Sequence, residues 1–218
     1  MKILTITQML IVTTPLLISV PGKALSYHLT NRENIQVVTH PVKSQSYQVD
    51  THASKISWLA KKVTGAHHGG IAISNGELHV KNDMAIDGSL HIDIRSITDA
   101  DLTDKASNDK LITTLKGETF FNSAKYPDAA FVSTSVAHAS GSQYIVKGNL
   151  TIKGITNEVI FPATIIINKK KIIATAKISL DRTKFDIKIR SKSFFENLGD
   201  KVIYDNFDLD ITLSANAE

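Results

Sequence analysis

The sequence predicts an all-β fold, an antiparallel sandwich or barrel of eight to ten short strands with one or two small helices, the alternating inner faces leaning towards a barrel. Three observations predict it. From Tyr47 onward apolar residues recur at every second position, the period of a half-buried strand. Gly, Asn and Asp clusters punctuate the chain at short intervals. No strand–helix–strand alternation appears, which argues against a parallel sheet.

In chain order, Ile56, Trp58 and Ala60 alternate with Ser57, Leu59 and Lys61. Ile71 and Ile73 open a second run, and Asn75-Gly76 then reads as a hairpin turn. Leu78 and Val80 follow, closed by Asn82-Asp83. The clearest strand runs from Ala85 to Ile94, with Leu90, Ile92 and Ile94 on one face and His91, Asp93 and Arg95 on the other. Later strands are Ala130–Ala137, Tyr144–Ile152, Val159–Ile167, Ile172–Leu180 and Ile203–Leu213. Two segments break the period. Asp104–Leu115 has helical spacing, with Leu111 and Leu115 four apart, and stops at Gly117. Ser193–Leu198 reads as a short turn-like element ending at Gly199.

The start of the chain has a different character. Lys2, an apolar stretch from Ile3 to Val20, Pro21-Gly22 and the small residues Ala24 and Ser26 form a secretory leader over residues 1–26, with cleavage before Tyr27. Thr5, Thr7, Gln8, Thr13, Thr14, Pro15 and Ser19 interrupt the apolar stretch, so cleavage is favoured over a retained spanning helix. Residues 27–46 are polar and aperiodic and read as a linker or arm, and residues 215–218 as a tail. No stable membrane insertion is expected of the mature chain.

Charge and composition exclude several functions. The formal charge is +4, of which Lys2 and Lys23 belong to the leader, and basic residues interleave with acidic ones throughout. A nucleic-acid binder needs basic charge gathered on one face, so no nucleic-acid partner is expected. The absence of cysteine removes disulfides, zinc thiolates and thiol nucleophiles. No nucleophile elbow, phosphate-binding glycine loop, HExxH helix or dinucleotide fingerprint is present, so no cofactor is expected.

Histidines are the remaining candidates for metal or acid–base chemistry. His67 and His68 are adjacent, which on a strand sends their rings to opposite faces and away from a common ion. His79 and His91 share the outward face of neighbouring strands and can meet across the pair. Their ligand set is incomplete, and solvated surface histidines are the favoured reading. Lys169-Lys170-Lys171 could touch anionic lipid, but reads as a solvated hairpin tip. The Asn149-Leu150-Thr151 triplet falls inside a strand and is taken as chance.

Four blocks go beyond pattern. Tyr47-Gln-Val-Asp50-Thr-His52-Ala-Ser54 resembles the opening motif of the YceI-like family. Phe120-Phe121-Asn-Ser-Ala-Lys125-Tyr126-Pro127-Asp-Ala-Ala-Phe131, Gly148-Asn-Leu150-Thr151-Ile-Lys-Gly154-Ile-Thr156 and Asp181-Arg182-Thr183-Lys184-Phe185 resemble three further blocks of that family, in its order, over residues 47–214. The chain departs from many members at Leu59-Ala60-Lys61-Lys62, Lys116-Gly117-Glu118-Thr119 and Asp186. The resemblance implies an extended, eight-stranded, lipocalin-like antiparallel barrel that holds a polyisoprenoid, an isoprenoid quinone or a fatty-acid-like lipid. It implies a periplasmic or secreted protein, in agreement with the leader. Trp58, Ile73, Ile92, Ile94, Leu111, Leu115, Phe120, Phe131, Phe161 and Phe185 are then the expected wall or mouth of the lumen. A binding role without catalysis is the leading expectation. The alternatives are an enzyme using His67, His68 or Asp186 as a base, and a stress-related interaction barrel whose interior is packed solid. Outer faces or strand edges offer a route to a homodimer.

Overall fold

The computed structural model describes residues 44–218; the expected leader and nearly all of the expected linker lie outside them. Strands β1 (Ser44–Val49), β2 (Lys55–Lys62), β3 (Gly65–Lys81) and β4 (Met84–Asp99) lead into one helix, α1 (Lys105–Lys116). Strands β5 (Asp128–Ser140), β6 (Gln143–Ile152), β7 (Ile155–Ile167), β8 (Lys171–Asp181) and β9 (Ile203–Ala217) follow. Every pairing is antiparallel, and the β3–β4 pair closes the sheet on itself.

Nine strands make an eight-position barrel because β1 and β2 share one position. β1 pairs with the far halves of β3 and β9, at Tyr47↔Leu78 and Val49↔Ala215. β2 pairs with their near halves, at Trp58↔Gly69 and Trp58↔Leu209. Between them the Asp50 carboxylate accepts from the backbone N–H of His52 (3.1 Å) and Ala53 (3.0 Å), an Asx-type turn that offsets the two segments.

Four details depart from the reading of the sequence. The sheet begins at Ser44, which pairs with Lys81, inside the stretch read as an arm. It ends at Ala217, so most of the expected tail is strand, with Ala215 fully buried. Asn75-Gly76 is not a turn; β3 runs straight through it, with a register shift against β4 between Ile73 and Asn75. A Cβ on Gly76 would lie 2.6 Å from Leu90 and 2.9 Å from Val49, so this glycine marks a bulge and a close side-chain approach. Asn82 (φ 51°) and Asp83 (φ 61°) make the actual two-residue hairpin. Finally, Ser193–Leu198 is made of turns and bends as read, but two short 3-10 turns that the sequence reading did not place lie on either side of it, at Arg182–Phe185 and Gly199–Lys201.

Capping explains α1, the single α-helix among the described residues. Asp104 at its start accepts from the Ser107 N–H at 2.8 Å, and the Gly117 N–H donates to Thr113 and Thr114 at its end. The helix buries no residue completely and lies against β4, across one end of the barrel. None of the helices among the described residues is long and apolar enough to cross a membrane.

Candidate functional site

Inner-face exposure differs around the ring. On β6 the inward residues Tyr144, Val146, Gly148, Leu150 and Ile152 are buried, and the residues alternating with them are not. On β7, β8 and β9 the inward apolar residues Val159, Phe161, Ala174, Ile178, Phe207, Leu209 and Ile211 are only half-buried. A solid core would bury them completely. They surround a cavity of about 240 Å³ lined from β2 through β9 and from the end of α1. An apolar cavity of about 150 Å³ already stays dry and admits a benzene-sized guest.

Polar side chains are few in this wall. Asp87, Ser133, Thr175 and Arg182 contribute among the lining residues, together with the amphipathic Trp58 and Tyr204. The Trp58 indole N–H is satisfied by the Thr98 carbonyl at 3.0 Å. Phe131 and Phe161 pack against each other across the lumen wall, ring centroids 5.7 Å apart. Gly148 makes this possible, since a Cβ there would lie 2.5 Å from the Phe131 ring.

Seven expected wall residues line this cavity: Trp58, Ile92, Ile94, Leu115, Phe120, Phe131 and Phe161. Three do not. Ile73 is 4% exposed and belongs to the packed core beside the bulge at Asn75. Leu111 lies one turn before Leu115, and only the C-terminal turn of α1 reaches the lumen. Phe185 is carried by the Arg182–Phe185 turn and is 2% exposed. It closes a seam: β7 pairs with β8 only from Ala163 to Ile167, and the turn fills the remaining stretch. Asn157 donates to the Lys184 carbonyl at 2.9 Å and Lys153 to that of Asp186 at 3.2 Å.

A second seam remains in the wall. β4 pairs with β5 only over Ser89–Asp93, leaving Met84–Gly88 and Ser133–Ser140 unpaired with each other. Ala85, Asp87, Gly88, Ser133 and Val136 line the lumen here, and the Asp87 side chain is half exposed, so the cavity meets the surface. The Gly88 N–H donates to the Ser133 hydroxyl at 2.8 Å across the gap. At the opposite end Tyr204 both lines the cavity and faces solvent. Sequence reading missed Ala85, Asp87, Gly88 and Ser133 because each is a small or polar residue with no apolar signal of its own.

Arg182 anchors the segment that covers the Tyr204 end. Its guanidinium, 5% exposed, donates to the carbonyls of Ile187, Ile203 (2.9 Å) and Tyr204 (3.1 Å) and pairs with Asp205 at 3.3 Å. Burial pushes its pKa down, against the pull of Asp205 and Asp181, and the group remains a cation at neutral pH.

None of the candidate bases lines the lumen. Asp186 sits in the left-handed conformation after the 3-10 turn (φ 57°), with its carboxylate on Lys188 at 2.8 Å. His67 and His68 lie near the start of β3, both beside Asp101 rather than facing apart. His79 and His91 do not meet: His79 stands opposite Asp87, and His91 opposite Asn75. Lys169 and Lys170 form the β7–β8 tip, where the Asn168 carboxamide oxygen accepts from the N–H of Lys170 and Lys171.

His79 yields a pH prediction. Its ring contacts the Asp87 carboxylate and lies 2.8 Å from Glu77. The Asp87 hydrogen bond raises its pKa first; burial opposes this, and Glu77 adds to the rise. A raised folded pKa means the charged form favours folding. The contribution is therefore full below the ordinary histidine value and disappears as pH climbs through the raised one. Comparing wild type with His79→Gln by urea denaturation, we expect wild type to be more stable at pH 5.5 and equal at pH 9. The pair is more than a third exposed, so the gap stays below about 1 kcal/mol. Equal stability at both pH values would remove this ion pair from the account.

Comparison with known proteins agrees with this geometry. The crystal structure of BcnA from Burkholderia cenocepacia superposes with a TM-score of 0.61 at 27% identity, over 76% of this chain and 98% of that one. A polyisoprenoid binding domain from Saccharophagus degradans shares the fold, with a TM-score of 0.58 at 14% identity, over 80% of this chain and 99% of that one. A UPF0312 protein of Photorhabdus laumondii is 41% identical over 64 residues, 29% of this chain and 31% of that protein, so the match spans under a third of the relative. The YceI-like domain matches residues 47–215, nearly the whole of the closed barrel, and the chain belongs to the YceI-like family.

Proposed function

We propose that this protein is an exported carrier that shelters one long apolar or amphipathic chain, a polyisoprenoid, isoprenoid quinone or fatty-acid-like lipid, inside its barrel. The observation that carries the proposal is the lumen: a ring of inward Ile, Leu, Val and Phe side chains that do not fill the space they enclose. Each methylene moved from water into such a space gains about 0.8 kcal/mol, so ten contribute about 8 kcal/mol with no catalytic group involved. The polar positions at the two openings, Asp87 and Ser133 at one and Tyr204 at the other, suit a head group that stays wet. The Saccharophagus domain of the same fold bears a polyisoprenoid-binding description, which supports the ligand class. The lumen-facing surface offers no arranged acid–base pair, which favours binding over turnover.

Organic extraction of the purified protein followed by mass spectrometry tests the proposal, with a polyprenyl or acyl lipid expected at a fixed ratio to protein. Empty preparations that also fail to bind polyprenyl and acyl probes would overturn it. The leader supports export, and N-terminal sequencing of the mature form is expected to start at Tyr27.

A further inference from the structure

Away from the lumen lining, four ionisable side chains meet where β3 begins, β4 ends and the chain crosses to α1. Gly69 allows the meeting. It pairs with Asp99, and a Cβ on it would lie 1.8 Å from the Thr98 carbonyl oxygen, so the two backbones close as no other residue would permit. The Ala100 N–H then donates to the His68 carbonyl at 2.8 Å, which swings Asp101 beside the start of β3.

Both carboxylates are held from behind. Asp99 Oδ1 accepts from the Leu102 N–H at 2.9 Å and from the Asn108 side chain at 3.2 Å. Asp101 Oδ1 accepts from the His68 N–H at 2.7 Å, and Oδ2 lies 2.9 Å from His67 Nδ1. The remaining oxygen, Asp99 Oδ2, is buried without a hydrogen-bond donor. One ligand-capable atom from each of His67, Asp99 and Asp101 lies within 4.8 Å of the others, and His68 Nδ1 is 3.6 Å from Asp101.

An undonated buried carboxylate oxygen beside a second carboxylate is unfavourable unless a shared proton or a metal cation stands between them. A single imidazole shared with Asp101 leaves Asp99 Oδ2 unanswered. Fixed outer hydrogen bonds that orient the ligating groups are the arrangement metal sites use. Imidazole with carboxylates suits ions of the Zn²⁺ type, whereas Ca²⁺ and Mg²⁺ prefer all-oxygen shells.

We propose that His67, Asp99 and Asp101 bind one divalent transition-metal ion of the Zn²⁺ type. The ion ties the segment leading into α1 to the start of β3, and so fixes the helix across that end of the barrel. The proposal is independent of the lipid-carrier reading, since none of the three residues lines the lumen.

The test uses tag-free full-length mature protein, stripped with a chelator and titrated with ZnCl₂ by calorimetry. One ion per chain is expected, with a thermal-midpoint rise under Zn²⁺ and none under equal Ca²⁺ or Mg²⁺. His67→Gln and Asp101→Asn are each expected to weaken Zn²⁺ binding at least tenfold. His91→Ala, outside the cluster, is expected to leave it unchanged. If Asp101→Asn fails to fold, His67→Gln decides alone, because that side chain sits at the edge of the barrel. Absence of stoichiometric binding overturns the proposal. So does binding that survives His67→Gln intact or is lost instead with His79→Ala, which would move the ion to the Glu77–His79–Asp87 group.

Discussion

Replacing Ala174 and Ala176 together by phenylalanine is expected to abolish lipid binding while leaving the barrel folded. Both alanines face inward on β8, line the cavity and are half-buried. Their neighbours in register are Ile165 and Leu213 for Ala174, and Ala163 and Ile211 for Ala176, all of them cavity-lining. The two new rings project into a space of about 240 Å³, which a chain-like ligand needs continuously along its length. Affinity for a fluorescent acyl or polyprenyl probe should fall at least tenfold, a loss of about 1.4 kcal/mol or more. Stability should hold or rise, because the rings fill a void instead of displacing packed atoms. A probe titration and a thermal melt on the same preparation measure both. Lys177→Met, on the outer face of the same strand, serves as the control and should change neither. A folded double variant that binds as tightly as wild type would place the ligand outside the lumen.

That prediction depends on residues that carried no signal in the sequence, and the reason is physical. Trp58, Ile92, Ile94, Phe131 and Phe161 were legible because period-two alternation is local: once a strand is found, its apolar face follows. Whether the space between faces is filled is a sum over all eight strand positions, which only the closed ring determines. Ala174, Ala176, Gly88 and Ser133 shape that sum by being small, and smallness alone reads as nothing. Ile73 and Asn75-Gly76 were misplaced for another reason. A glycine after asparagine suits both a hairpin turn and a bulge, and the choice was made by Leu90 and Val49, one on another strand and the other far earlier in the chain. Phe185 was legible as apolar but not as a seam plug, since the β7–β8 gap it closes is a property of pairing length. His67 and His68 followed the alternation rule to opposite faces. The rule did not anticipate that Asp101, arriving from the end of β4, would stand beside both rings.

Arg182→Met is expected to cost about 3–5 kcal/mol, the largest stability loss of any single change considered, because it strips donors from a buried site without removing the acceptors. The side chain spans the Arg182–Phe185 turn, the following segment and β9, donating to three carbonyls and pairing with Asp205. Methionine fills similar length but leaves the Ile187, Ile203 and Tyr204 carbonyls without those hydrogen bonds and Asp205 without its cation. Lysine keeps the charge yet has a single nitrogen, so Arg182→Lys should recover only a minor part. In urea both variants should show a lower midpoint with a similar slope, the signature of lost stability in an otherwise unchanged fold. The loss should also reach the lumen. Ile187 is 2% exposed and lines the cavity, and Ile203 is tied to the Arg190 carbonyl at 3.0 Å, so the segment over the Tyr204 end is held by the same network. Release of a bound probe should accordingly quicken in Arg182→Lys under conditions where that variant remains folded. If Arg182→Lys matches wild type in both midpoint and release, the fork of hydrogen bonds is not what holds that end, and a single charge near Asp205 is enough.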